Sequence, residues 1–114
     1  MTDKLMSMME EIGLPFAYHH FAEGESPDPP FICFLTTGSH NFSADGRDYF
    51  KIDRIHVELY TDRKDPALEG SVGAVLDRHG IFYRKTEVWI ESEKLYEVLY
   101  QFEQEALSYA EEKE

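Results

Sequence analysis

The residues best suited to bind a metal ion are two adjacent histidines. His19 and His20 stand side by side, and Glu23 or Glu25 of the following segment could join them as metal ligands. Residues 16–21 are rich in aromatic residues and predict a short strand. Neighbouring side chains on a strand point to opposite faces, so the two imidazoles would not share one ion. We therefore expect no metal site.

A nucleophilic centre would have to use Cys33, the single cysteine of the chain. Reactive thiols need a neighbouring base and a partly exposed position, whereas Cys33 lies among the apolar residues 31–35. A single cysteine also excludes an internal disulfide and a multi-cysteine metal site. No common phosphate-binding, dinucleotide-binding, metalloprotease or hydrolase motif occurs. We expect no enzyme activity and no cofactor.

The charge of the chain limits the partners it can have. Lys and Arg number 11 against 23 Asp and Glu, which gives a formal net charge of −12 over 114 residues. Such an excess of carboxylates disfavours contact with phosphate backbones, so we expect no sequence-specific binding of nucleic acid. The sequence has no apolar run near the ~20 residues of a membrane span and no signal-peptide pattern at its start. We expect a soluble intracellular protein.

Hydrophobic periodicity predicts a helix, two strands and a long hairpin in the first half of the chain. Residues 1–13 predict a helix that ends at Gly13, and residues 31–36 predict a central strand that is apolar on both faces. Asp45-Gly46 is a strong turn signal, and residues 49–60 predict the returning strand. Its apolar residues change parity near Asp53-Arg54, which indicates either a bulge there or a strand that projects beyond the sheet.

The second half begins with the best-defined helix of the sequence. Asp65-Pro66 has the chemistry of a helix start, and Gly80 fits the stop position. Residues 81–90 predict a strand. Residues 94–104 fit a strand or a helix, and their tyrosine and valine content favours the strand. The order α-β-β-β-α-β-β predicts a single α+β domain over residues 1–104 with a mostly antiparallel sheet, followed by an acidic tail over residues 105–114.

The aromatic content, 14% of the residues, is the most informative anomaly. Several aromatic residues lie among polar residues or near segment ends, where protein interfaces favour such anchors, although ordinary partly buried aromatics would give the same pattern. Together with the hairpin turn they form our candidate interface: Phe42, Asp45, Gly46, Tyr49, Tyr83, Trp89 and Tyr109.

Four stretches of the sequence carry a resemblance to a known family. They are residues 15–21, 30–34, 57–66 and 89–96, and the similarity extends over residues 5 to 104. They resemble small head–tail junction proteins of the tail-completion or tail-terminator type, found in tailed phages and prophages of Gram-positive bacteria. These stretches contain no catalytic signature.

The resemblance implies two helices packed on a sheet with a long β-hairpin. It also implies a homo-oligomeric ring, usually a hexamer, that caps the finished tail tube and docks to the head connector or stopper while DNA passes through. The protein would then occupy the host cytoplasm during assembly and the virion afterwards. The competing class is a small acidic intracellular domain that masks a basic protein partner, and the net charge of −12 suits that class too.

Overall fold

The computed structural model describes residues 3–44 and 47–105 of the chain. In chain order these form α1 (Asp3–Ile12), β1 (Phe16–Tyr18), β2 (Phe31–Ala44), β3 (Arg47–Thr61), α2 (Pro66–Arg78), β4 (Tyr83–Ile90) and β5 (Leu95–Glu105). Neither helix is long and apolar enough to cross a membrane.

The five strands form one sheet in the order β1-β2-β3-β5-β4. Only the β1–β2 pair is parallel, so the predicted α+β fold with a mostly antiparallel sheet is confirmed. The strand over residues 31–36, predicted to be central, is interior, but the centre of the sheet is β3. Residues 94–104, for which strand and helix both remained open, lie in β5 and the turn before it.

The core lies between the two helices and one face of the sheet. Leu5 and Met8 of α1 and Val72 and Leu76 of α2 are buried in one cluster with sheet residues. From β3 this cluster takes alternate residues, because successive side chains of a strand point to opposite faces: Ile55, Val57 and Leu59. We call the other side of the sheet, which no helix covers in the described part of the chain, the open face.

Both helices end as the sequence predicts. Gly13 and Gly80 have positive φ angles of 85° and 71°, which glycine adopts without steric cost. At the start of α2, an Asp65 carboxylate oxygen accepts a hydrogen bond from the Leu68 amide at 3.2 Å. The C-terminal end of α2 is also joined to α1, since Glu11 accepts hydrogen bonds from Arg78 and pairs with His79. Hydrogen bonds from His79 and Arg78 lower the pKa of Glu11.

The first strand is shorter than predicted, and this corrects the placement of the histidine pair. β1 ends at Tyr18, and His19 has a positive φ of 69°. The alternation of a strand therefore stops before the histidines, and their rings come together instead of pointing to opposite faces. The two Nδ1 atoms lie 2.6 Å apart, which requires one to donate and the other to accept.

The β2–β3 hairpin is longer than predicted, and a bulge lies beside Arg54 as one interpretation expected, but on the partner strand. Thr36 pairs with Ile55 and Gly38 with Arg54, so the extra residue is Thr37 on β2 and not a residue near Asp53-Arg54 on β3. A second register shift lies nearer the tip, between Phe42 and Ser43. The pairing of β3 with β5 extends from Thr61 to Ile52, whereas that with β2 continues to Arg47. Within the described residues, the end of the hairpin projects beyond β5.

Gly73 allows α2 to approach the sheet closely. A methyl group at this position would lie 2.6 Å from the hydroxyl oxygen of Tyr83, closer than van der Waals radii permit. The Tyr83 ring itself packs on the ring of Tyr100, with the ring centres 5.4 Å apart. At Gly70, by contrast, an added methyl group would meet no atom within 4 Å.

The two glycines of α2 should therefore respond to alanine in opposite directions. We expect Gly70→Ala to raise the free energy of unfolding by up to about 1 kcal/mol through helix propensity. Gly73→Ala should lower it by about 1 kcal/mol, because overpacking outweighs the same gain in propensity. Urea denaturation measures both changes.

A variant of Tyr83 tests whether the close contact causes the loss of stability in Gly73→Ala. Adding Tyr83→Phe to Gly73→Ala removes the hydroxyl oxygen that the new methyl group meets, so the double variant should recover most of the loss. If Tyr83→Phe gave no recovery in the Gly73→Ala background, the close contact would not be the reason for the glycine.

Candidate functional site

Three large apolar side chains stand exposed on or beside the edge strand β4. Phe82, just before the strand, is 97% exposed, while Val88 and Trp89 are 51% and 40% exposed. No strand pairs with the outer side of β4 in the described part of the chain. Exposed apolar groups next to a free strand edge are typical of surfaces that bind other proteins. We call Phe82, Val88, Trp89 and the outer side of β4 the edge surface.

Phe82 stands between two hollows. One, of about 670 Å³, is lined by apolar and polar residues of three strands, the polar ones including Arg54, Arg84 and Gln101. The other, of about 520 Å³, lies towards the end of α2 and includes Gly80 and Ile81 in its lining. A partner that covers the Phe82 ring would thus have concave surface on both sides into which its own side chains can pack.

Trp89 is partly held in place. Its ring packs on Tyr96 of the neighbouring strand, with the ring centres 4.7 Å apart, and its indole N–H donates to Glu91 at 2.6 Å. Hydrogen bonds from Lys94 and Trp89 lower the pKa of Glu91. The exposed part of the indole ring therefore has a fixed orientation, which limits the entropy lost when a partner covers it.

A buried carboxylate connects β4 to α2. Glu69, only 3% exposed, lies 2.6 Å from the Lys64 ammonium and 3.0 Å from that of Lys85 on β4. Lys64 also pairs with Glu87, two residues further along the strand. The Glu69 backbone oxygen accepts a hydrogen bond from the buried Tyr100 hydroxyl at 2.7 Å. These contacts hold the edge strand against the helix.

The two lysines decide the charge of Glu69. Burial alone would raise the pKa of this carboxyl, but the hydrogen bonds from Lys64 and Lys85 outweigh it and bring the pKa below its ordinary value. Glu69 is thus ionised at neutral pH although it is buried. For Tyr100, burial and the nearby Glu69 charge raise the pKa of the hydroxyl, which stays protonated as a donor.

On the open face, two carboxylates share one hydroxyl. The Tyr60 hydroxyl oxygen lies 3.0 Å from Glu58 Oε1 and 2.9 Å from Glu97 Oε2. The hydroxyl carries one hydrogen, so it can donate fully to only one of them at a time. Among the described residues, no lysine or arginine forms an ion pair with either carboxylate. We call these three residues the Glu58–Tyr60–Glu97 cluster.

The pKa values of Glu58 and Tyr60 are both raised, because burial and the neighbouring carboxylate charges disfavour their ionised forms. Burial raises the pKa of Glu58 and the Glu97 charge adds to this, while the Tyr60 hydrogen bond and the nearby His19 lower it without cancelling the rise. Burial and the same two carboxylates raise the pKa of Tyr60. The neighbouring Cys33 is affected too, since burial and the charges of Glu58 and Glu97 raise the pKa of its thiol to about 11. Cys33 is therefore a neutral thiol at physiological pH.

The candidate interface residues are not all brought together. Phe42 and Tyr49 lie on strands of the hairpin, and Asp45, Gly46 and Tyr109 lie outside the described residues. Trp89 belongs to the edge surface, whereas Tyr83 on the same strand is turned towards the helices and packs against the core. No group of three or more His, Cys, Asp or Glu side chains within residues 3–44 and 47–105 is arranged to hold a metal ion.

Sequence reasoning missed Phe82, Val88 and the Glu58–Tyr60–Glu97 cluster. A signal for the first two was present, because residues 81–90 carry apolar side chains at both parities and an edge strand can bury only one set. Glu58 and Tyr60 alternate with the buried Val57 and Leu59, which places them on the other face. Their proximity to Glu97, however, depends on the pairing of β3 with β5, which has no local sequence signal.

No protein-family model matches this chain, and no curated protein matches it at a significant level.

Removing the charge of Glu69 should destabilise the fold. We expect Glu69→Gln to lower the free energy of unfolding by about 2 kcal/mol at pH 7, the scale of a hydrogen bond to a charged group. Because the folded state lowers the pKa of Glu69, this contribution is present above the ordinary value of 4.5 and is lost as the pH falls through the folded pKa. Urea denaturation at several pH values measures it.

Glu91→Gln is the matched control for Glu69→Gln. Its pair with Lys94 is exposed on both sides, so its loss should leave the free energy of unfolding nearly unchanged. Equal effects of the two substitutions would mean that the buried position of Glu69 does not matter.

Removing the charge of Glu58 should have the opposite effect. The fold raises the pKa of this carboxyl, so the ionised form opposes folding at neutral pH. Glu58→Gln still accepts the Tyr60 hydrogen bond, and we expect a higher melting temperature than that of the wild type at pH 7. The difference should shrink as the pH falls through the raised pKa and be absent below 4.5. A lower melting temperature at pH 7 would contradict the assignment.

Proposed function

We propose that this protein is a structural component of a phage head–tail junction. It forms a homo-oligomeric ring, with six subunits as the expected number, that terminates the tail tube and docks to the head connector. It has no enzymatic role in this assembly. The observation that carries the proposal is the edge surface, where Phe82, Val88 and Trp89 are exposed beside an unpaired strand edge.

The edge surface supports self-association through its geometry. A ring forms from head-to-tail contacts, in which one patch of each subunit meets a different patch of the next. Phe82 is the centre of one such patch, since this exposed ring has hollows on both sides. Val88 and Trp89 extend the exposed apolar surface to the other end of β4, one on each face of the strand. On the opposite edge of the sheet, β1 covers β2 only up to Phe34. The rest of that side of β2 supplies a second strand edge for a neighbouring subunit or the tube.

The hairpin supports contact with the tail tube. Its end extends beyond β5 by the residues that pair Asn41–Ala44 with Arg47–Lys51. A projecting two-stranded arm can reach a neighbouring subunit or a partner ring while the body of the domain stays in place. Phe42, Asp45, Gly46 and Tyr49 remain the candidate contact residues from the sequence.

The charge supports a passage for DNA. With −12 on each subunit, a ring whose acidic residues face the lumen would repel the DNA backbone and let it pass without binding. The resemblance of residues 15–21, 30–34, 57–66 and 89–96 to tail-completion proteins points to the same role. The proposal thus places the protein in the host cytoplasm during assembly and at the head–tail junction of the virion afterwards.

Native mass spectrometry over a concentration series, with and without tail-tube protein, tests the proposal. We expect a closed oligomer, either of the pure chain or on the end of the tube. Phe82→Ser should abolish this oligomer but leave the melting temperature unchanged, because the side chain is 97% exposed in the monomer. Lys4→Ser, an exposed substitution on α1 away from β4, is the control and should assemble normally.

A shortened hairpin tests the role of the arm. Asn41 and Lys51 lie directly opposite each other, so residues 42–50 can be replaced by an Asn-Gly turn without shifting the register of the remaining pairs. This variant should keep its circular dichroism spectrum and lose tube capping. A wild-type chain that stays monomeric with and without tubes would overturn the ring and favour the acidic binding domain.

A further inference from the structure

The Glu58–Tyr60–Glu97 cluster lies on the open face of the sheet, and each of its three side chains is half-buried. Glu58, Tyr60 and Glu97 point away from both helices, and each keeps only part of its surface exposed. Tyr60 is directly opposite Glu97 on β5 and Phe31 on β2, so the three residues form one row across the open face. Phe21 packs on Phe31 at one end of this row, and no helix of the described chain covers Tyr60 and Glu97 from the solvent side.

Aromatic side chains form one wall of this surface. The rings of Phe31 and Tyr60 stack with their centres 5.1 Å apart, and Phe21 meets Phe31 edge-on at 5.4 Å. Phe21 belongs to the segment that follows the histidine pair and folds over the end of the sheet. Phe21, Phe31 and Tyr60 thus form a continuous aromatic row that ends at the carboxylates of Glu58 and Glu97.

A hollow of about 860 Å³ adjoins the aromatic row. Its lining includes the rings of Phe31 and Tyr60 and the carboxylates of Asp62 and Glu93. The two histidines, His19 and His20, line it as well. Lys94 also lines it, but the Lys94 ammonium is 2.5 Å from Glu91 and so is already paired. The hollow is large enough to admit the side chain of another molecule beside the phenol ring of Tyr60.

A positive charge beside Glu58 and Glu97 would stabilise this part of the open face. Two carboxylates near one another repel, and they compete for the single hydrogen of the Tyr60 hydroxyl. Half-burial removes part of the water that would otherwise compensate them. An ammonium or guanidinium group placed against both oxygens would supply the missing donors and cancel the repulsion. The aromatic wall would favour the same group through cation–π attraction and cover its aliphatic stem.

We propose that the open face binds a partner protein by taking one of its arginine or lysine side chains into the Glu58–Tyr60–Glu97 cluster. The choice of occupant rests on charge complementarity, since a cationic side chain matches the paired carboxylates and an apolar stem matches Phe31 and Tyr60. Arginine fits best, because its planar fork can donate to two acceptors at once. This inference does not depend on ring formation.

An NMR titration with N-acetyl-arginine amide tests the site on the full chain. In 150 mM salt, where general attraction to the acidic surface is screened over about 8 Å, we expect saturable shifts of the amide signals of residues 58–60 and 97. N-acetyl-citrulline amide, which has nearly the same shape and no charge, should cause none. N-acetyl-lysine amide should bind the same residues more weakly than the arginine compound.

Two double variants separate a specific site from general attraction. Glu58→Gln with Glu97→Gln should weaken binding of the arginine compound at least about tenfold, a loss of about 1.4 kcal/mol. Glu10→Gln with Glu105→Gln removes the same net charge from exposed positions outside the row and should leave binding unchanged. Thermal melts confirm that both variants are folded.

Three results would overturn the proposal. Shifts spread over the acidic surface, reduced equally in both double variants, would show charge attraction without a site. No saturable shift at all would show that the row takes no cation. An oligomer of the pure chain that only Glu58→Gln with Glu97→Gln dissolves would assign the row to a second copy of this chain. Ring formation is read separately by mass spectrometry, so failure here is distinguishable from failure of the ring.

Discussion

The alternation of side chains along β3 is the constraint on which the rest of the structure depends. β3 is the middle strand and pairs with a long strand on each side, so its two faces determine what each side of the sheet can do. Ile55, Val57 and Leu59 provide the floor on which both helices pack. The residues between and after them, Glu58 and Tyr60 among them, are forced onto the open face. The core and the acidic cluster are consequences of the same strand.

Local chemistry explains which elements could be predicted from the sequence. The N-cap at Asp65, the glycine stop at Gly80 and the helix periodicity between them act over a few residues, so the sequence determines α2 closely. The tyrosine and valine content of β5 favoured a strand over an equally periodic helix, and tertiary pairing resolved the ambiguity. The end of β1 was predicted wrongly, because the positive φ of His19 has no sequence signature in a non-glycine residue.

The candidate site was predictable only in part, because it depends on long-range register. The bulge was expected near Asp53-Arg54 from a parity change in β3, yet the extra residue is Thr37 on the partner strand. An extra residue on β2 leaves the alternation along β3 unchanged, so it does not bring the two apolar sets of β3 to one face. Trp89 was recognised as an anchor, but the exposure of Phe82 follows from its place just before the edge strand. The meeting of Glu58 with Glu97 likewise required the β3–β5 pairing.

The buried carboxylate of Glu69 has a consequence for the divergence of this protein. Its charge is compensated by Lys64 and Lys85 together, and each lysine comes from a different segment of the chain. Replacing Glu69 alone removes the ion pair of Lys85, and replacing either lysine leaves the buried carboxylate with one cation instead of two, whereas a joint change to apolar residues of similar volume would cost little. Homologous sequences should therefore keep Lys64, Glu69 and Lys85 together or exchange them together. Covariation among these positions would indicate that the same contacts join the edge strand to the helix.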